Sequence, residues 1–230
     1  MRPALFAFVL VLALACTGGA ASGAAQVRVL FLGNSLTAAN DLPAVVASLS
    51  HGAVTYRTVA PGGVSLEDHW NFTGARDALD DGPWDYVVLQ QGPSSLPESG
   101  INLREWATHW ADAIRARHAT PAVYEVWPDS QFGVRLSFPG IIRNYRAASV
   151  AAHAIFLPAG EAWQAAWRRN PRLGLYGPDG FHPSKLGTTL AALVITARLT
   201  KTPVARVALP YPARTAKLLR TAAAVALRGA

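Results

Sequence analysis

Two segments of this 230-residue chain carry side chains that could do nucleophilic and acid–base chemistry. The first is a serine, Ser35, which follows the apolar run Val27–Leu32 and the turn residues Gly33 and Asn34. A hydroxyl at the start of a helix lies at the positive end of the helix dipole, where developing negative charge is stabilised. Such a serine is a candidate nucleophile, although Gly-Asn-Ser is also common in turns and helix N-caps.

The second segment contains Asp179 and His182, with Gly180 between them. An acid three residues before a histidine can reach its Nδ1 from the same loop, fix the tautomer and leave Nε2 free to accept a proton from a serine. A surface turn in which Asp179 caps the backbone is the alternative. The other histidines have no such acidic neighbour and no metal-ligand spacing, so no metal site is expected.

Short apolar runs alternate with helical patterns along the chain, which predicts repeated βα units. Parallel sheets covered on both faces have such apolar strands, and their ligands lie beyond the carboxyl ends of the strands. The predicted strands are 27–32, 54–60, 86–89, 122–127 and 154–157, and the predicted helices are 43–50, 65–79, 103–118, 141–152, 160–169, 184–199 and 212–227.

Four blocks, in this order along the chain, resemble those of the SGNH hydrolases, the GDSL-type lipase/esterase superfamily. Residues 33–37 (GNSLT) resemble the nucleophile block, with Asn34 in place of aspartate. Residues 61–66 (PGGVSL) resemble the glycine block, and Gly63 matches its backbone oxyanion donor. Residues 179–182 (DGFH) match the terminal Asp-x-x-His block. The resemblance covers essentially the whole chain after residue 25.

The third block departs from the family pattern. In residues 87–93 (VVLQQGP), Gly92 stands where the family has the asparagine that donates to the oxyanion. A branch of the superfamily has a Leu-Gln-x-Gln version of this block, so Gln90 or Gln91 is expected to supply the side-chain donor. Successive residues of an extended segment point to opposite faces, so only one of them should reach the oxyanion, and Gln90 is favoured because it continues the strand.

The resemblance implies a three-layer α/β/α flavodoxin-like fold with a five-stranded parallel sheet. It also implies ester hydrolysis without a cofactor, through a catalytic triad of Ser35, Asp179 and His182, an acyl-enzyme, and an oxyanion hole that includes the N–H groups of Ser35 and Gly63. The substrate would be a small-molecule, glycan or lipid ester. Two alternatives remain open, an acyltransferase that passes the acyl group to a glycan hydroxyl with the same triad, and a non-enzymatic glycan-binding module.

Composition and charge agree with a single globular domain. Hydrophobic residues make up 51% of the chain and charged residues 15%, and Cys16 is the only cysteine, which excludes an intrachain disulfide framework. Residues 160–230 carry eleven Lys/Arg and two Asp/Glu. This basic third could associate weakly with anionic surfaces or form a solvated helical face. Its basic residues are not interleaved with aromatics, so no nucleic-acid partner is expected.

The first 25 residues are typical of a secretory signal peptide, which leaves residues 26–230 as the esterase-type domain. A positive start, a twelve-residue apolar stretch and a run of small residues follow one another. The sequence therefore predicts export to the periplasm or to the extracellular space. The sequence around Cys16 also resembles a lipoprotein box, so lipid anchoring at Cys16 is the alternative.

Removal of the leader makes a testable prediction about the mature protein. We expect the exported chain to begin near Gln26, because small residues precede that position as signal peptidase requires. Intact-mass measurement or N-terminal sequencing of the exported protein checks this. A mass that includes a diacylglycerol group on Cys16 would instead establish the lipoprotein alternative.

Overall fold

The computed structural model describes residues 26–230, apart from the side chains at positions 132, 135 and 136. The predicted leader and Cys16 lie outside the described residues. All five strands of the sheet run parallel, in the order β2-β1-β3-β4-β5. The strands are β1 (Val27–Leu32), β2 (Val54–Val59), β3 (Tyr86–Leu89), β4 (Thr120–Tyr124) and β5 (Ile155–Leu157).

Helices connect the strands and continue after the last one. Short 3-10 turns also lie at 39–41, 130–132 and 204–206. The helices are α1 (Ser35–Ala38), α2 (Leu42–Leu49), α3 (Leu66–Phe72), α4 (Ala75–Asp80), α5 (Pro97–Arg115), α6 (Val134–Ala151), α7 (Ala159–Arg169), α8 (Lys185–Thr200) and α9 (Ala213–Arg228).

The strand order confirms the predicted flavodoxin-like fold and fixes where a ligand can lie. The chain moves from β1 to β2 on one side and then returns past β1 to β3, β4 and β5. Because such crossovers are right-handed, the reversal places α2 on one face of the sheet and α3 to α6 on the other. Helices α8 and α9 pack with α2 and α7 respectively. The switch point of the topology falls between β1 and β3, where ligands of this fold class bind.

The sheet is the centre of the core, as its apolar strands predict. Residues Val29–Leu32 of β1 and Val87–Leu89 of β3 are buried, and so is the end of β4 at Tyr124. A strand covered on both faces has no polar side, which explains the continuous apolar runs. In residues 26–230, no helix combines the length and the hydropathy that a membrane span would require.

Some predicted boundaries were wrong. Helix α5 begins at Pro97 and α6 at Val134, each several residues before the predicted start. Proline at the first position of α5 is compatible with a helix, and α6 tolerates Pro139 in its first turns. The predicted helix 65–79 is two helices, because Thr73 adopts an extended conformation between them. Strand β4 ends at Tyr124, three residues before the predicted end.

Candidate active site

Ser35 is the first residue of α1, directly beyond the carboxyl end of β1. The preceding residue, Asn34, is the N-cap, and its Oδ1 accepts a hydrogen bond of 3.1 Å from the N–H of Leu36. The Asn34 Nδ2 donates to the carbonyl of Val64 at 3.1 Å, which ties this turn to the glycine block. Ser35 is half-buried, and its Oγ forms no hydrogen bond within residues 26–230.

The turn before the serine is so tightly enclosed that only glycine fits at position 33. A Cβ on Gly33 would lie 2.3 Å from Thr37 Oγ1 and 2.6 Å from Gln90 Oε1. Both distances are far below any real contact, so a side chain here would displace the turn. The glycine of the first block is therefore explained by close packing beneath the serine.

The predicted acid and histidine are paired as expected. His182 Nδ1 lies 2.6 Å from Asp179 Oδ2, and the other carboxylate oxygen accepts the backbone N–H groups of Phe181 at 3.1 Å and His182 at 3.0 Å. Because a carboxylate only accepts, Nδ1 carries a proton, and in the neutral ring Nε2 then presents a lone pair. In the described part of the chain, Nε2 has no hydrogen-bond partner. This is the orientation that a general base requires.

The pKa of Asp179 is lowered to about 2 by its hydrogen bond to His182, with further help from the N–H groups of Phe181 and His182. Asp179 itself is solvent-exposed. The carboxylate is therefore ionised at neutral and moderately acidic pH. It can keep the Nδ1 proton in place and stabilise an imidazolium when one forms.

The loop that carries this pair is anchored to the segment after β4. Trp127 is fully buried, stacks on Trp163 at 3.7 Å, and donates from Nε1 to the carbonyl of Phe181 at 3.0 Å. The Tyr176 hydroxyl donates to the carbonyl of Pro128 at 2.6 Å. The histidine loop is therefore joined to this segment by two aromatic side chains, the buried Trp127 and the half-buried Tyr176.

Asn40 links the serine segment to the histidine loop. It lies five residues after Ser35, and its Nδ2 donates to the carbonyl of Pro183 at 2.8 Å and to Thr188 Oγ1 at 2.9 Å. Its φ of 54° is in the left-handed region, which asparagine adopts more readily than most residues. Ser35 and His182 thus belong to segments that are in direct contact through Asn40.

Gly63 lies in the turn between β2 and α3 and has a φ of 77°. This left-handed conformation favours glycine, which explains the residue type. Asn34 Nδ2 donates to the carbonyl of the neighbouring Val64, so the glycine turn lies beside the serine turn. Among residues 26–230, the N–H groups of Ser35 and Gly63 find no acceptor, and both are available to a ligand.

The two glutamines after β3 lie on opposite sides, as alternation predicts. Gln90 is completely buried and contacts the serine turn. Its Oε1 accepts the N–H of Asn34 at 2.9 Å and the hydroxyl of Thr37 at 2.6 Å. Its Nε2 donates to Asn34 Oδ1 at 3.0 Å and to the carbonyl of Gln91 at 2.5 Å. Both N–H bonds of this carboxamide are therefore directed at protein acceptors.

Gln91 contacts the start of α3 instead. Its Oε1 accepts the N–H of Leu66 at 3.1 Å, and its Nε2 donates to Ser94 Oγ at 3.1 Å and to Asn102 Oδ1 at 3.4 Å. The pair thus supports the serine turn and the glycine block respectively. An oxyanion role for either glutamine stays a prediction, and it would require a carboxamide N–H to leave one of these acceptors.

His69 on α3 is a site residue that the sequence did not indicate. It is completely buried, and its Nε2 lies 2.7 Å from the carbonyl oxygen of Gly33, which only accepts hydrogen bonds. Nε2 is therefore protonated, and Nδ1 lies 2.9 Å from Thr73 Oγ1. Burial lowers the pKa of His69 and favours the neutral ring. No neighbouring residue in the sequence indicates this contact, because Gly33 lies on another element.

His69 makes a testable prediction about pH and stability. An unfolded histidine titrates near pH 6.5, and the folded pKa lies below this value. Between the two, only the unfolded chain binds the proton, so the free energy of unfolding should fall as the pH is lowered through this window. Thermal unfolding at about pH 7.5 and about pH 5 measures the change in Tm.

The matched variant is His69→Gln, which keeps an N–H donor of similar reach but does not titrate. We expect its Tm to fall less than that of the unsubstituted protein between the two pH values. Equal decreases in the two proteins would show that His69 contributes nothing to the acid sensitivity.

The chain matches no protein-family model and none of the curated proteins, but solved structures resemble it. A protein from Slackia heliotrinireducens that has been assigned to the SGNH hydrolases shares 29% identity, with a TM-score of 0.67 over 76% of this chain and 99% of that one. A DUF4886 family protein from Bacteroides uniformis shares 20% identity, with a TM-score of 0.71 over 88% and 95% of the two chains.

The fold is also shared with the psychrotrophic esterase EstA from Pseudoalteromonas sp., at 17% identity and a TM-score of 0.54 over 76% of this chain and 97% of that one. At such identity the likeness concerns the fold alone. The Slackia protein is closer in sequence and is matched over nearly its whole length. With the four sequence blocks arranged around one edge of this sheet, the chain resembles the SGNH hydrolases (GDSL-type) in both fold and sequence.

Proposed function

We propose that this chain is a serine esterase that cleaves carboxylic esters through an acyl-enzyme. The observation that carries the proposal is the Asp179–His182 pair, with its 2.6 Å contact and an Nε2 lone pair, on a loop that Asn40 ties to the segment after Ser35. Similar structures named as an esterase and as a lipase/acylhydrolase support ester bonds as the substrate class.

In the acylation step, Ser35 Oγ attacks the ester carbonyl while His182 Nε2 takes the hydroxyl proton. The carbonyl π electrons move to oxygen and form a tetrahedral oxyanion. When the intermediate collapses, the bond to the alkoxy oxygen breaks and His182 gives its proton to the leaving alcohol. In the absence of substrate the serine and histidine need not be hydrogen-bonded, because such contacts often tighten only in the complex.

Deacylation repeats the proton transfers with water. His182 Nε2 removes a proton from the attacking water, the acyl–oxygen bond to Ser35 breaks, and the proton returns to Oγ. Asp179 keeps Nδ1–H in the correct tautomer and stabilises the imidazolium in both steps. Because its pKa is about 2, Asp179 should not itself lower activity between neutral and moderately acidic pH.

The oxyanion is proposed to bind the backbone N–H groups of Ser35 and Gly63. Both lie in turns held by Asn34, through its N-cap bond to Leu36 and its Nδ2 bond to Val64. Each preorganised donor of this kind contributes about 3 kcal/mol to transition-state stabilisation. The donors need little reorganisation during the reaction, because packing at Gly33 and the hydrogen bond from Asn34 to Val64 already hold the two turns.

The triad makes a testable prediction about turnover. Ser35→Ala and His182→Ala should each lower ester hydrolysis by several orders of magnitude, and the double variant should be little worse, because the residues act as one unit. Asp179→Asn should be less damaging than either. Initial rates with nitrophenyl esters of increasing chain length measure the effect and also report the preferred acyl group.

Two further measurements make the test specific. A serine-reactive phosphonate should label Ser35, identified by peptide mass, and labelling should disappear in Ser35→Ala. Product analysis with an added sugar acceptor separates hydrolysis from acyl transfer. Near-normal turnover in Ser35→Ala would refute the assignment, and an unlabelled, inactive native protein would favour the binding-module alternative.

A further inference from the structure

The third block of this chain has no asparagine at the position where the SGNH hydrolases have a side-chain donor, but Gly92 at that position has a backbone N–H. We infer that the N–H of Gly92 is a third oxyanion donor, and that Tyr145 and Gln90 are positioning residues that orient its peptide. This inference rests on the proposed ester hydrolysis. It assigns the donor to the main chain of the glycine itself and not to either glutamine side chain.

The register of the sheet pairs the strand ends that precede Gly92 and Ser35. Strands β1 and β3 are neighbours, and Leu32 pairs with Leu89 at their carboxyl ends. Ser35 lies three residues beyond Leu32, and Gly92 lies three residues beyond Leu89. The ladder also continues past the strand, because the N–H of Gln90 donates to the carbonyl of Leu32 at 2.9 Å. The segments that carry the two residues therefore leave the sheet from neighbouring strands at the switch point of the fold.

The orientation of the Gln91–Gly92 peptide follows from what its carbonyl contacts. The Gln91 oxygen lies 2.5 Å from Gln90 Nε2 and 2.6 Å from the hydroxyl of Tyr145. Both donors belong to completely buried residues, so the carbonyl points into the protein. In a planar trans peptide, the N–H points opposite to the carbonyl. The N–H of Gly92 is thus directed away from the interior.

The side of the peptide toward which this N–H points is open. In the part of the chain that the structure describes, the N–H of Gly92 has no acceptor. A Cβ built on Gly92 would meet no described atom within 4 Å, and the residue is half-exposed. The next residue is proline, which has no N–H, so Gly92 offers the last main-chain donor of this turn until Ser94.

Tyr145 is suited to hold the peptide in this orientation. Its hydroxyl lies 2.6 Å from the carbonyl of Gln91 and also 2.8 Å from the carbonyl of Gly92, so this one buried donor is shared by two successive carbonyls. Burial raises the pKa of Tyr145, which keeps the hydroxyl protonated as a donor. A flip of the Gln91–Gly92 peptide would turn its N–H toward the buried donors of Tyr145 and Gln90 and would remove one acceptor of Gln90 Nε2, which is unfavourable.

The direct test removes the N–H of Gly92. Gly92→Pro should lower kcat by roughly 10²-fold with little change in KM, because the contact forms only in the transition state. Gly92→Ala keeps the N–H and has room for its Cβ, so it should lose far less than Gly92→Pro. Circular dichroism and Tm show whether each variant is folded.

The second test leaves Gly92 in place and removes the hydroxyl that orients it. Tyr145→Phe should lower kcat about tenfold and weaken binding of a boronate transition-state analogue by a similar factor, with KM little changed. Its control is Tyr124→Phe, an identical chemical change at a fully buried tyrosine whose hydroxyl has no hydrogen-bond partner among the described residues. Tyr124→Phe should retain full kcat and full boronate affinity.

The outcomes separate this inference from the proposed function. If the native protein hydrolyses esters and Ser35 is labelled, but folded Gly92→Pro keeps its kcat, the donor assignment is overturned. It is also overturned if Tyr145→Phe matches Tyr124→Phe in both kcat and boronate affinity. A large loss of kcat in Gln90→Ala with none in Gly92→Pro would return the donor role to the glutamine. Absence of hydrolysis in the native protein refutes the proposed function instead.

Discussion

The arrangement of this site depends on one buried carboxamide. Gln90 accepts the N–H of Asn34 and the hydroxyl of Thr37, and donates to Asn34 Oδ1 and to the carbonyl of Gln91. A primary amide has two donor hydrogens and an oxygen with two lone pairs, and all are used here. Its orientation is fixed, because a backbone N–H can only donate and a backbone carbonyl can only accept. Loss of this side chain would leave several buried groups unpaired, each at a cost of about 1–3 kcal/mol.

The acid–base half of the site is built independently and brought to the serine by tertiary contacts. The Asp179–His182 loop forms its own hydrogen bonds and rests on Trp127. Its connection to the serine segment is Asn40, in a left-handed conformation. The loop itself therefore fixes the tautomer of His182, and a separate contact through Asn40 joins the loop to the serine segment. This division explains why the loop residues are close in sequence while their partner serine is far away.

The fold and the contact between Asp179 and His182 could be predicted because their signals are local. Apolar runs predicted all five strands, and Ser35 and the Asp179–His182 pair were indicated by their immediate neighbours. The supporting contacts could not be predicted in the same way. His69 bonds to Gly33, and Gln91 bonds to Leu66, across elements that only the sheet order brings together. The helix starts at Pro97 and Val134 were missed for a related reason, since tertiary packing extends helices into segments with weak intrinsic preference.

Support and catalysis place opposite demands on an amide side chain. A residue that holds a turn in place must have its N–H groups bonded to protein, whereas an oxyanion donor must have one free until the transition state forms. A single carboxamide at Gln90 cannot meet both demands without releasing Asn34 or Gln91. A peptide unit can, because its carbonyl is bonded to Tyr145 on one side while its N–H faces the open side. A glycine at position 92 leaves that N–H unshielded by any side chain, although the space around it would accommodate a larger residue. The residue type is thus better explained by access to the main chain than by packing.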